Sequence, residues 1–310
     1  MTAALAVQGL ARDFTVGGRR LHAVDGVDLA VAEGETLGIV GESGCGKSTL
    51  ARLMLRLLPP SAGRIHLLGE DVTTLSEAAM RPRRHHLQAV FQDPVSSLNP
   101  RLTIRDIVAE PLRPLGMGKA TMHARVREML ALVGLPEDAG ARYPHAFSGG
   151  QRQRIAIARA LAGGPRVLVC DEATSALDVS VQAQILNLLA DLQARFGLAM
   201  VFVSHNLGAV RHVSQRVAVM YLGRIVEIGP EAAIFDAPAH PYTHALLAAV
   251  PELDAPEEAP LAGEVPSPLD RPSGCHFHPR CPRAQPRCGS EDPPLLPFGT
   301  GHDVRCFFPG

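Results

Sequence analysis

"TLGIVGESGCGKSTLARLML", residues 36–55, decides the fold. The run "TLGIV" is short, apolar and β-branched, so it reads as a buried strand. "GESGCGKS" matches G-x-x-x-x-G-K-[ST] from Gly41 to Ser48, and "STLARLMLRLL" has helical character. Strand, glycine loop and helix in that order make a phosphate-binding loop. Gly41, Gly44 and Gly46 let the backbone turn tightly, so that several N–H groups face the β- and γ-phosphates. The helix beginning near Lys47 adds the positive end of its dipole. Lys47 supplies a point charge to the same oxygens, and the Ser48 hydroxyl is suited to Mg²⁺. Glu42, Ser43, Cys45 and Thr49 complete the candidate nucleotide-binding stretch. Cys45 reads as a small residue in the loop, or as an accessible, oxidation-sensitive thiol near a helix start.

Outward from the loop, "PRVLVCDEATSALD" (165–178) gives a second buried strand that ends on an acidic pair. Acidic residues at the carboxyl edge of a parallel sheet suit metal-assisted chemistry. Asp171 is expected to hold Mg²⁺ through water, and Glu172 to orient or deprotonate an attacking water. Cys170 lies inside the strand and reads as core. "FSGGQRQRIAIARALAGGP" (147–165) opens a helix whose apolar face carries Ile155, Ala158 and Ala162. Ser148 is placed to cap it, and Gly149 and Gly150 expose its first N–H groups. This is a second anion site without a lysine, which suggests two chains closing on a shared nucleotide. "AMVFVSH" is a third buried-type strand, ending on His205.

The ordered motifs "GESGCGKS", "FQDP", "FSGGQ", "VLVCDE", "SALD" and "VFVSH" resemble the ATP-binding subunits of ABC transporters across essentially the full chain. The resemblance implies an α/β phosphate-loop cassette with an antiparallel β subdomain and an inserted helical subdomain at about 95–150. It makes Gln92 the loop glutamine that touches Mg²⁺ and the membrane subunit. Ser148, Gly149, Gly150 and Gln151 become the signature that contacts the nucleotide of the opposite subunit. Asp178 lies at the dimer seam, and His205 is the switch histidine on the γ-phosphate. Phe14 either stacks on adenine or is a core aromatic. Val126, Met129, Leu130 and Val133 share one helix face in "ARVREMLALVGL", in the region that would receive the membrane partner.

"FQDPVSSLNPRLTI" (91–104) and "AHPYTHALLAAVP" (239–251), with a cysteine-bearing tail, resemble more narrowly the dipeptide/oligopeptide/nickel importers. A short helix is expected after Pro241 with Leu246 and Leu247 buried, and His240 and His244 as packing or surface residues. The division expected is a cassette over 1–235 and a loop-rich extension over 236–310. The implied function is ATP hydrolysis that drives peptide import. Nickel or another small solute, and a soluble ATPase uncoupled from transport, are the alternatives. The implied partners are two transmembrane permease subunits, a second ATPase subunit (the same or a sister chain) and, indirectly, an extracytoplasmic substrate-binding protein.

Composition agrees. The 310 residues are 46% hydrophobic and 20% charged, with net charge −1, so no global basic field draws nucleic acid. No run approaches the roughly 18–20 apolar residues of a membrane span, and "MTAALAVQGLARDFTV" lacks the pattern of a secretory leader. The expected place is the cytoplasmic face of the membrane, held there by the permease. Half of the 26 prolines fall in residues 251–310, so that segment is expected to be irregular and to need an external staple. Cys275, Cys281, Cys288 and Cys306 follow C-x5-C-x6-C-x17-C, which is looser than the usual zinc or ferredoxin pairs. A reducing compartment argues against disulfides. Resemblance to relatives with this tail points first to a [4Fe–4S] cluster, with zinc second and free thiols third. His276, His278 and His302 are possible substitute ligands.

Overall fold

The computed structural model describes residues 3–249 and 264–310. Its strands are β1 (Ala3–Val16), β2 (Arg19–Ala32), β3 (Thr36–Val40), β4 (Ala62–Leu67), β5 (Glu70–Asp71) and β6 (Leu87–Phe91). They continue with β7 (Val167–Asp171), β8 (Ala199–Val203), β9 (Arg216–Tyr221), β10 (Arg224–Pro230), β11 (Leu296–Gly299) and β12 (His302–Val304). The helices are α1 (Lys47–Met54), α2 (Glu77–Met80), α3 (Pro94–Ser97), α4 (Ile104–Val108), α5 (Lys119–Leu132) and α6 (Gly149–Ala162). After them come α7 (Val179–Phe196), α8 (Leu207–Val213), α9 (Glu231–Asp236), α10 (Pro241–Ala248) and α11 (Pro286–Ser290). The chain forms two compact units.

One unit holds Val31–Thr36 and His66–Val203 with the start of β1. Its centre is the parallel set β6, β7 and β8, in register at Phe91↔Asp171 and Asp171↔Val203. Every residue of β7 and β8 is buried, as their continuous Val, Leu and Phe content requires of parallel strands covered on both faces. α6 packs on β6, and α3, α4 and α5 pack on α6. α5 turns Val126, Met129 and Leu130 inward, and Val133 follows them into the core, as the sequence periodicity predicts. α6 is tied to the segment after β6 at two points. The buried Gln153 amide donates to Phe91 O (3.4 Å), and Arg159 Nη1 donates to Ser97 O (2.6 Å). α7 starts at its Asp178 cap and ends on left-handed Gly197, the usual C-terminal stop.

The other unit holds Ala6–Ala30, Leu37–Ile65 and Ser204–Gly310. β3 pairs in parallel with β9, and β9 turns back antiparallel into β10. The two-residue turn is Leu222-Gly223, both at positive φ, the geometry that matches the right-handed twist of a hairpin. β1, β2 and β4 lie together as an antiparallel sheet in the order β2-β1-β4. Val27, Leu29 and Val31 alternate inward along β2.

The proline-rich tail is more regular than its composition predicts. β12 extends the sheet by pairing antiparallel with β10 at Glu227↔Val304 and Ile228↔Asp303, and β11 pairs with β12. The reason is positional. "HDV" of β12 contains no proline, and Pro297 sits in β11, an edge strand at the end of the sheet order, where a missing donor is tolerated.

His302 is not a spare ligand for the tail. Its Nε2 donates to Glu227 Oε1 at 2.7 Å, and both side chains are buried. The same carboxylate accepts from the backbone N–H groups of Ala239 (2.7 Å) and His240 (3.0 Å). Three donors thus compensate one buried charge, the condition for tolerating it. Glu227→Ala should lower unfolding free energy by about 3 kcal/mol or more, since it strands the donors. Urea unfolding measures this, and an unchanged midpoint would deny the carboxylate its structural weight.

Candidate nucleotide-binding site

The phosphate loop leaves β3 and enters α1. Two of its glycines are forced by the surrounding backbone. A Cβ on Gly41 (φ 150°) would lie 2.2 Å from Met220 O, and one on Gly46 (φ 108°) 2.2 Å from Ala23 O. Lys47 is the first residue of α1 and is buried. Its Nζ donates to Gly41 O (2.7 Å) and Glu42 O (2.9 Å), so the ammonium lies along the loop it serves. Ser43 and Gly44 are exposed at the loop tip, while Ser48 and Thr49 are half-buried in the first turn of α1. The Gly223 N–H donates to Cys45 O (2.8 Å), which ties the β9–β10 turn to the loop.

Cys45 is not the accessible thiol considered from sequence. It is 5% exposed, and burial pushes its pKa up, so it stays a neutral, poorly reactive thiol. Cys170 is fully buried in β7, with its pKa pushed up to about 12 by that burial, as expected of a core residue.

Glu42 is held from outside the loop. Its N–H donates to the Tyr242 hydroxyl (2.9 Å), and its carboxylate accepts from Arg280 Nη1 (2.8 Å) and Nη2 (2.9 Å). Neither Tyr242 nor Arg280 is singled out by sequence reasoning, because nothing local marks a contact spanning 238 positions. The burial expected at Leu246 and Leu247 is found instead at the start of α10. Pro241, Tyr242 and Thr243 are buried there, while both leucines are only half-buried. His240 caps that helix through Nδ1, accepting from the Tyr242 N–H (3.0 Å), and burial holds its pKa down to about 3. His244 is exposed. His205 is exposed too, and the preceding Ser204 N–H donates to Ile39 O (3.2 Å) on the strand that feeds the loop. Phe14 is half-buried on β1, with the Arg12 guanidinium 4.8 Å from its ring centre.

In the other unit, Gln92 and Glu172 leave the carboxyl ends of the adjacent strands β6 and β7, and Gln92 is exposed. Asp171 is the buried last residue of β7. Glu172 has left-handed backbone, φ 51°, a conformation that costs a non-glycine residue about 1 kcal/mol or more. Its N–H donates to Val203 O (2.9 Å), and its carbonyl accepts from Ser175 N–H (3.1 Å) and Oγ (3.0 Å).

Ser148 caps α6 as the sequence predicts, and Gln151 completes a reciprocal capping box. Gln151 N–H donates to Ser148 Oγ (3.3 Å), and Ser148 N–H donates to Gln151 Oε1 (3.0 Å). Gly149 and Gly150 form the first turn. A Cβ on Gly150 would lie 2.4 Å from Val181 Cγ1, so α7 also requires that glycine. Asp178 caps α7. Hydrogen bonds from the Val181 N–H and the Ser180 hydroxyl hold its pKa below the ordinary carboxylate value.

In the tail, Cys275, Cys281, Cys288 and Cys306 line one recess with Phe277, His278 and Phe307. Its non-atom space is about 350 Å³, partly open to solvent. The four are free thiols. Burial pushes Cys275 up to about 11, and the three other cysteines raise it further. Backbone N–H groups of Phe277, Arg283 and Phe308 act in the opposite direction on Cys275, Cys281 and Cys306. Among the described residues, no three of His, Cys, Asp or Glu are gathered closely enough to hold a single metal ion. His278 lines the recess and donates from Nδ1 to Cys275 O (2.9 Å), whereas His276 lines a neighbouring recess.

Comparison with known proteins agrees with these parts. The ABC transporter family matches residues 24–175, and the oligopeptide/dipeptide transporter C-terminal region matches residues 226–288. A probable peptide ABC transporter ATP-binding protein, y4tS of Sinorhizobium fredii, is 53% identical over 92% of this chain and 82% of its own length. The oligopeptide transport ATP-binding protein AppF of Bacillus subtilis is 50% identical over 92% of this chain and 89% of its own. Among solved structures, cbiO1 from Clostridium perfringens, part of the ABC transporter complex cbiONQ, superimposes with TM-score 0.69 at 29% identity. That match covers 76% of this chain and 92% of cbiO1. The ATP-binding cassette MJ0796, dimeric in a post-hydrolysis state with ADP and phosphate, gives 0.66 at 29% identity, over 73% of this chain and 98% of its own. On these matches the chain belongs to the ABC transporter ATP-binding proteins, in the branch with the oligopeptide/dipeptide transporter C-terminal region.

Proposed function

We propose that the protein is the ATP-hydrolysing subunit of an ABC importer for peptides. The observation that carries the proposal is the loop from Gly41 to Ser48, with two glycines fixed by neighbouring carbonyls and a buried Lys47 at the start of α1. In this reading residues 1–235 are the cassette, with a helical subdomain at about 95–150, and 236–310 are an importer-specific extension. No helix among the described residues is long and apolar enough to cross a membrane. The subunit therefore works through partners, two permease chains at the cytoplasmic face of the membrane.

The triphosphate lies along the loop N–H groups with Lys47 at its β- and γ-oxygens. Ser43, Gly44 and Cys45 contribute backbone and Thr49 the first turn of α1, while Glu42, whose N–H is taken by Tyr242, shapes the loop beside them. Phe14 receives the adenine on its ring. Ser148, Gly149, Gly150 and Gln151 of a second ATPase subunit close over the γ-phosphate, with Asp178 at the seam. Nucleotide moves the pair toward closure only by binding the closed form more tightly. Glu172 orients or deprotonates the attacking water, and His205 contacts the γ-phosphate. Ser48, Gln92 and Asp171 are oxygen donors of the kind Mg²⁺ takes, and the ion would supply charge neutralisation at the phosphates.

At the cysteine recess a [4Fe–4S] cluster is proposed ahead of zinc. Four cysteines lining one recess are the thiolate donors such a group takes. The Phe308 N–H donates to Cys306 Sγ (3.4 Å), a contact of the kind that stabilises cluster thiolates. Cys275, Cys281, Cys288 and Cys306 would hold the cluster, which would staple the tail together.

Glu172→Gln should keep ATP binding while lowering turnover at least about 100-fold, and should accumulate a nucleotide-bound dimer on size exclusion. Near-normal turnover would remove Glu172 from its role. Lys47→Ala should weaken ATP binding at least about tenfold, as measured by calorimetry. Anaerobically purified protein should be brown, with iron and inorganic sulfide in equal amounts, and Cys281→Ser should lose the colour. Colourless wild type carrying zinc would refute the cluster.

A further inference from the structure

Glu42 is the second residue of the phosphate loop, and its polar groups are engaged from three directions. Its carbonyl accepts from Lys47 within the loop. Its N–H goes to the hydroxyl of Tyr242, on α10. Its carboxylate takes two parallel bonds from Arg280, the residue before Cys281. Arg280 is 5% exposed at its side chain, and Tyr242 is fully buried. A fork-to-fork guanidinium–carboxylate pair fixes orientation as well as distance. Among the described residues Glu42 is the carboxylate that pairs with the buried Arg280, so releasing the pair is costly.

The two tail residues share one aromatic block. Tyr221, Tyr242 and Phe277 lie with ring centres 4.6–5.4 Å apart, and the Arg280 guanidinium is 6.0 Å from Tyr221 and from Phe277. Tyr221 ends the strand whose Met220 carbonyl abuts Gly41. The block thus touches the loop at Glu42, through the Tyr242 hydroxyl, and lies next to the strand end that abuts Gly41.

We propose that Arg280 and Tyr242 are positioning residues for the phosphate loop. By fixing Glu42 they hold the remaining loop N–H groups in the arrangement that receives the triphosphate. The proposal rests on the nucleotide-site reading above. Neither side chain touches the reacting atoms, so both act on ground-state binding rather than on the chemical step. A pair that only stapled the tail would change unfolding temperature and leave the affinity of the folded protein alone.

The test uses the purified full chain with a fluorescent ATP analogue, steady-state ATPase kinetics and thermal unfolding in parallel. Arg280→Gln and Tyr242→Phe should each raise Kd and KM for nucleotide about five- to tenfold, a modest hydrogen-bond contribution. The kcat should stay within about twofold. Arg280→Lys, which keeps the charge but not the fork, should fall between wild type and Arg280→Gln. In a Glu42→Gln background, adding Arg280→Gln should change affinity by less than about twofold, because the partner is already gone. Folded Arg280→Gln and Tyr242→Phe proteins with wild-type affinity would overturn the proposal. If Arg280→Gln does not fold, Tyr242→Phe, which deletes one oxygen, decides alone. Wild type that fails to bind ATP would instead overturn the nucleotide reading itself.

Discussion

Two carbonyl oxygens, those of Met220 and Ala23, set the path of the phosphate loop. Each occupies the place where a side chain at Gly41 or Gly46 would begin. The loop is therefore moulded by chain from far away in sequence, by β9 on one side and β2 on the other. The β9–β10 turn adds the bond from Gly223 to Cys45. With the backbone so placed, Lys47 lies along the loop and Glu42 bonds to Arg280.

The sequence makes the local parts legible. β3, β7 and β8 are unbroken apolar runs, and a buried parallel strand needs nothing more to be recognised. Ser148 and Gln151 stand at capping-box spacing, and they form that box. The buried face of α5 follows from periodicity alone. What sequence does not disclose is every contact in which a lone polar residue finds a partner far along the chain. Glu227 with His302 and Glu42 with Arg280 are such pairs. Each looks like an ordinary charged or histidine position until the fold buries it. The three-residue β12 is too short to leave a pattern, so a tail that reads as irregular still extends the sheet. Cys45 was ambiguous for the same reason, since its exposure depends on neighbours that are not adjacent in sequence.

The tail thereby has two attachments of different character. At β12 it is held by backbone pairing and by the Glu227 carboxylate. At Arg280 it is held by a charge pair backed by stacked rings. The tail also carries the recess with four cysteines, where burial makes an uncompensated thiolate unfavourable. Such a recess is more stable neutral, or with positive charge shared among the sulfurs, than with free thiolates.

α6 carries the signature serine at its front end, and farther along it is bonded to both sides of the Gln92 turn. Gln153 reaches the residue before Gln92, and Arg159 reaches Ser97 beyond it. A helix of fourteen residues is stiff on this scale, so its two clamps make turn and rod one mechanical piece. A displacement of that turn would therefore carry the front of the helix with it rather than being absorbed along its length.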